Sequence, residues 1–181
     1  MVLRVYKYGE AVLRKKSERV AAVTDDLRKT ADDMLETMHK AGGVGLAAQQ
    51  VGRLEAMCVI DIPENCEEPE DEMFNAPIRM PLKLFNPAII ASEGVQRDKE
   101  GCLSFPKIGG TIVRAAQVTC QYTDENNEPQ MITARGFLAR ALQHELDHLK
   151  GTLYIDHMSA IERLEYAGKL KKLAKDNGGV R

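Results

Sequence analysis

Apolar positions along the chain repeat in two ways. Leu27, Ala31, Met34, Leu35 and Met38 recur at helical spacing and predict a helix with one core-facing stripe. Thr24-Asp25-Asp26 supply a cap and first-turn acids, and Gly42-Gly43 end the element. A second helical run extends from Phe137 to Leu149 and stops at Gly151. The runs Met57 to Ile62, Leu82 to Ile90, Thr111 to Tyr122 and Gln130 to Thr133 read instead as strands, with Pro63 closing the first. Asp124-Glu125-Asn126-Asn127, between the last two, predicts a hairpin turn. The segment up to about Val23 has no clean period and is expected to be extended or loop. The tail from Ser159 to Arg181 is predicted helical, with Ile161, Leu164, Ala167 or Gly168, and Leu170 or Lys171 in register. Strands come first and the second helical run comes late, an order that favours α+β over alternating α/β. The expected fold is antiparallel or mixed β-sheets packed around the 137–149 helix, with an N-terminal and a C-terminal helix.

Composition narrows the class. A chain of 181 residues, 44% hydrophobic and 29% charged, suits one compact domain with a sizeable core. A formal net charge of -2 argues against nucleic-acid binding through global charge. No apolar run approaches the roughly 20 residues that span a bilayer, and Met1-Val2-Leu3-Arg4-Val5-Tyr6-Lys7 lacks the apolar core of a signal peptide. A cytosolic protein acting away from membranes is the simplest expectation, with the mature form of an organellar protein as the alternative. Cys58 and Cys120 lie in strand-like runs and are expected in the core, while Cys66 lies in an acidic stretch. That stretch, from Glu64 to Glu72 with Pro69 inside it, reads as a solvated surface insertion. His39, at the end of the first helix, is expected at the surface, where the helix dipole favours a cation.

The second helical run carries Gln143-His144-Glu145-Leu146-Asp147-His148. His144 and His148 are four apart, so both imidazoles leave one face of a helix and can grip one metal ion. Glu145 is the usual general base or acid of such a motif. The third ligand is open on spacing alone. Glu162 or Glu165 would serve in one arrangement. The extended motif HExxHxxGxxH matches through Gly151 and then fails, because Tyr154 stands where the third His belongs and His157 comes three residues too late. Cys102, within Glu100-Gly101-Cys102-Leu103-Ser104-Phe105-Pro106, is the upstream candidate. A separate run, Gly43 to Gly52, is dense in small residues and has no phosphate-loop lysine. It suits a tight buried turn or the close approach of another backbone. A non-catalytic zinc-stabilised module would account for the histidines and the basic tail, Lys169, Lys171, Lys172 and Lys175, but has no need of Glu145 and Gln50.

Three segments together carry a resemblance. Gly43-Val44-Gly45-Leu46-Ala47-Ala48-Gln49-Gln50, Glu100-Gly101-Cys102-Leu103-Ser104 and Gln143-His144-Glu145-Leu146-Asp147-His148 resemble, in order and spacing, the three motifs of peptide deformylase, over nearly the whole chain from Val5 to about Met158. Cys102-Leu103-Ser104-Phe105-Pro106 and the acidic insertion are similar to the type 1 enzymes, subtype 1B among them. Gly109-Gly110 departs from relatives that carry larger residues at the mouth of the site.

The resemblance implies a hydrolase that removes the N-formyl group from the methionine of nascent polypeptides and releases formate. It implies that Cys102, His144 and His148 bind one divalent metal, Fe(II) natively, with Zn(II) or Ni(II) as substitutes, and that ferrous iron exposes Cys102 to oxidation. It makes Glu145 the proton carrier, with the Gln50 amide and the Leu103 N–H as oxyanion donors. The peptide backbone would pair with the Gly43–Leu46 segment, Val44 and Gly45 included, and with Gly101. Val44, Phe137 and Ala141 would wall the methionine pocket. Residues 1–158 would form a single catalytic domain with 159–181 as a helical extension. A monomer is expected, and the basic tail is a candidate contact for ribosomal RNA.

Overall fold

The computed structural model describes residues 1–64 and 66–178. Helix α1 runs Asp25–Lys40, and the Thr24 side chain accepts from the Leu27 N–H at its start. Strands β1 (Gly45–Ala47), β2 (Met57–Ile60), β3 (Leu82–Glu93), β6 (Gln117–Thr123) and β7 (Pro129–Arg135) form one antiparallel sheet, in the order β1-β2-β3-β6-β7. The expected hairpin joins β6 to β7. Strands β4 (Gln96–Gly101) and β5 (Gly109–Arg114) form a second, two-stranded antiparallel sheet. Helix α3 spans Gly136–Leu149, and α4 spans Ala160–Asp176.

Side-chain alternation on β2 shows how the layers meet. All four of its residues are buried. Met57 and Val59 face α1 and pack with Ala31, Met34 and Met38. Cys58 and Ile60 point the other way, to Leu138, Leu142 and Leu146 of α3. Helix α3 is buried on most of its circumference, which makes it the central element. A third apolar cluster, built on Leu13, Phe105, Ile112, Tyr154 and Ile155, lies behind the small sheet.

Three expectations need correction. The acidic insertion is not all loop: Pro69–Asn75 forms helix α2, with proline in its first turn and Glu70, Asp71 and Glu72 where the dipole favours acids. Nor is the insertion detached. Glu67 accepts from the Leu138 N–H at 2.9 Å and so caps α3, whose own N-cap residue, Arg135, provides no side-chain cap. Asn75 bonds both the N–H and the carbonyl of Arg135.

The register of α4 also differs. Ile161 and Leu164 are 73% and 78% exposed, and the body contacts come from Tyr166, Leu170 and Leu173. The last part of the expected tail helix, residues 179–181, lies outside the described residues. Finally, Thr111 to Tyr122 is two strands rather than one, and β4 has no counterpart among the expected strands. Among the described residues, no helix is long and apolar enough to cross a membrane.

Candidate metal centre

Helix α3 sets the frame of the site. Its His144 and His148 rings are 5.1 Å apart, centre to centre, on one face. The loop after β4 brings Cys102 to them, with Sγ 3.3 Å from Nε2 of His148. One ligand atom from each of these three residues lies within 4.8 Å of the others, and this is the group of metal-binding character found among the described residues. Glu162 belongs elsewhere: it caps α4 with Ser159 and accepts from the Thr111 N–H. Tyr154 donates to the Ile108 carbonyl inside the third cluster.

A buried ion network holds His144. Its Nδ1 contacts Glu100 Oε2 at 3.0 Å. Glu100 also accepts from Arg114 at 2.9 and 3.0 Å and from Arg140 at 2.8 Å. Burial alone would raise the Glu100 carboxyl, but the bonds from His144 and Arg114 hold it well below the usual carboxylate range. Arg114 continues to Asp147 at 2.5 Å, and Asp147 meets the half-exposed His157 at 2.8 Å. The network engages one nitrogen of His144 and leaves Nε2 to face a ligand. Burial, followed by the charges of His144 and Arg114, drives His148 well below its ordinary value, the direction that favours the neutral, ligating ring. His144 runs the other way: burial opposes its charge, but its bonds to Cys102 and Glu100 hold it well above the ordinary value, so an ion bound there displaces its proton. A thiol with two imidazoles suits a divalent first-row ion.

Glu145 lies beside this group, 4% exposed, and among the described residues its Oε2 has no hydrogen-bond partner. Burial pushes its carboxyl up to about 7, with His144 opposing and Glu100 adding to the rise. Gly45 makes room for it, since a Cβ there would stand 2.8 Å from Glu145 Cδ. Gln50 is buried and oriented: Oε1 accepts from the Ala47 N–H at 2.9 Å, while Nε2 faces Ser104 Oγ at 3.2 Å and Cys102 Sγ at 3.4 Å. Leu103 accepts from Lys7 Nζ through its carbonyl at 2.7 Å, and among the described residues its N–H has no partner.

An adjoining cavity of about 690 Å³ opens onto the site and is lined in part by Val44, Gly45, Gln50, Gly101, Cys102, Leu103, Phe137, His144 and Glu145. Two of the expected site residues are not in its wall. His148 sits behind Cys102, 1% exposed. Ala141 packs in the core between α3 and the large sheet. The wall takes Arg140 instead, one turn before His144 on the same helical stripe. Sequence reasoning also assigned no role to Arg114, Ser104 or Lys7. Spacing alone could have flagged Arg140 through its i, i+4 relation to His144. Gly110 faces the Met158 side chain, whose Cγ a Cβ would approach to 3.0 Å, so Met158 fills the space of a larger residue there.

An antiparallel α+β fold around a helix that gathers a thiol and two imidazoles beside a buried carboxyl has the parts of a metal-dependent hydrolase. Comparison with known proteins specifies which. The family model described as polypeptide deformylase matches residues 2–164. The peptide deformylase of Endomicrobium trichonymphae is 42% identical over 173 residues, covering 96% of each chain. That of Nitrosococcus oceani is 41% identical over 171 residues, 94% of this chain and 95% of the relative. The crystal structure of the Ehrlichia chaffeensis peptide deformylase superposes with a TM-score of 0.84 at 36% identity, covering 97% of this chain and 98% of that one. The Synechococcus elongatus enzyme, in complex with actinonin, gives 0.79 at 36% identity, covering 98% and 87%. The chain belongs to the polypeptide deformylase family.

Proposed function

We propose that this hydrolase removes the N-formyl group from the methionine of nascent polypeptides, with residues 1–158 as the catalytic unit and Cys102, His144 and His148 as the holders of one divalent ion. The observation that carries the reading is the convergence of those three side chains beside the buried Glu145 carboxyl, whose Oε2 has no partner among the described residues. Fe(II) is the proposed native ion, and Zn(II) or Ni(II) would substitute. When bound, such an ion supplies Lewis acidity, polarising a carbonyl oxygen and acidifying water.

The chain's own groups do the rest. Glu145 takes a proton from the attacking water and returns it to the methionine nitrogen as the formyl C–N bond breaks, leaving formate and a free amine. Its burial supports this role, because a carboxyl raised towards neutrality both accepts and gives up a proton readily. Negative charge developing on the formyl oxygen meets Gln50 Nε2 and the free Leu103 N–H. Gln50 is held for this by its bond to Ala47, which fixes the direction of the amide.

The peptide backbone would extend along β1, which is an edge strand of the large sheet, and past Gly101 at the end of β4. Its methionine would enter the cavity beside Val44 and Phe137, against the stem of Arg140 rather than Ala141. We place the protein in the cytoplasm as a monomer, with the basic side of α4 as a contact for ribosomal RNA.

The test is release of free amine from formyl-Met-Ala-Ser by protein prepared without oxygen. Wild type should release it and Cys102→Ala should not. A metal-loaded wild type that releases none would refute the reading.

A further inference from the structure

Cations border the cavity. Lys7, Lys99 and Lys107 all line it. The two carboxyls in the same wall, Glu100 and Glu145, are buried, and Glu100 is already engaged by Arg114 and Arg140. A ligand arriving at the mouth therefore meets ammonium groups without exposed carboxylate in the wall, on a chain whose net charge is -2. Lys99 and Lys107 are exposed, and among the described residues neither side chain has a hydrogen-bond or ion-pair partner.

The two free lysines are fixed relative to the proposed peptide path. Lys99 lies in β4, two residues before Gly101 and so on the same side of the strand. Lys107 sits in the tight turn Phe105–Ile108, closed by the Ile108 N–H donating to the Phe105 carbonyl at 3.2 Å, with φ 60. Both belong to the segment that carries Cys102, where the residues after the methionine would leave the cavity.

We propose that Lys99 and Lys107 form a cationic rim that selects N-formyl peptides with an acidic side chain at the second or third residue. The proposal rests on the deformylase reading of the site. Attraction at the rim acts on peptide binding and not on the formyl group, so it enters through KM and leaves kcat alone.

The test uses the metal-loaded full chain and C-terminally amidated formyl-Met-Ala-Xaa-Ala and formyl-Met-Xaa-Ala-Ala peptides, with Asp, Ser or Lys at Xaa. At low salt, kcat/KM for Asp should exceed that for Lys by roughly tenfold in at least one series, through KM. The ratio should contract towards one in about 0.5 M NaCl. It should contract likewise in the double variant Lys99→Ala, Lys107→Ala and reverse in Lys99→Glu, Lys107→Glu. Equal rates for the three side chains, or an acidic preference that survives loss of both lysines, would overturn the proposal. The Ser peptides separate the two readings. If they are deformylated without an acidic preference, the rim alone falls. If no peptide is deformylated, the deformylase reading falls and takes the rim with it.

Discussion

Gly45 and Glu145 share one space: the carboxyl lies where a Cβ on residue 45 would stand 2.8 Å from Glu145 Cδ. Glycine at the start of β1 is thus a condition for the position of Glu145 on α3. Gly45→Ala should displace the carboxyl while leaving the three proposed metal ligands in place. Misplacement of about an ångström at a reacting group costs on the order of a hundredfold, so kcat should fall by about that factor at unchanged metal content. Steady-state kinetics with metal analysis of the same sample checks this, and a kcat within twofold of wild type would contradict it.

Burial raises Glu145 from the ordinary 4.5 to about 7. The metal-free fold therefore holds this proton more tightly than the unfolded chain does. Stability from this group is fully present below 4.5 and is lost as pH rises to about 7. The cost above that is about 3 kcal/mol, at about 1.4 kcal/mol per unit. Glu145→Gln should stabilise the metal-free protein by up to about 3 kcal/mol at about pH 8 and leave it nearly unchanged at about pH 4. Urea titrations at the two pH values measure the difference, and an equal shift at both would contradict the burial argument.

Glu100 balances Arg114 and Arg140 in the interior and also orients His144. Glu100→Ala leaves buried Arg140 without a carboxylate and Arg114 with Asp147 alone, and breaking a buried pair in this way costs about 3–5 kcal/mol. It also removes the partner that presents His144, so affinity for a divalent ion should fall by about 10- to 100-fold. Denaturation curves and competition with a chelator read the two effects separately. Loss of stability with unchanged metal affinity would show that Glu100 only supports the fold.

Glu67 reaches from the acidic insertion to cap α3. Glu67→Ala should lower stability by about 1 kcal/mol, as for other lost helix caps. An unchanged urea midpoint would mean that the insertion does not brace the helix that carries His144 and His148.

Legibility in the sequence followed burial. The helices at 25–40 and 136–149 were readable because apolar residues recur at helical spacing in each, and His144 and His148 declared a shared face by spacing alone. Strand β4 was not readable: in Gln-Arg-Asp-Lys-Glu-Gly the buried residue is Glu100, a charge satisfied by distant arginines, so no apolar alternation marks it. Helix α2 hid behind its acids, which look like a solvated loop until Pro69 is seen to start a first turn. The tail helix misled through Ile161 and Leu164, apolar residues that face solvent while Tyr166 turns inward. Within the site, Arg140 and Gly45 act through contacts with residues distant in sequence, and neither type announces such a contact. Arg140 looks like a surface residue in a helical pattern, and Gly45 looks like a turn.

The central claim is that one ion held by Cys102, His144 and His148 is required for deformylation. Metal-free protein titrated anaerobically with Fe(II) or Ni(II), with formate release followed at each addition, tests it most directly. Activity should rise from zero in proportion to metal and level off at one ion per chain, and Cys102→Ala should stay inactive throughout. Full formate release by the metal-free protein, or by Cys102→Ala at one ion per chain, would contradict it.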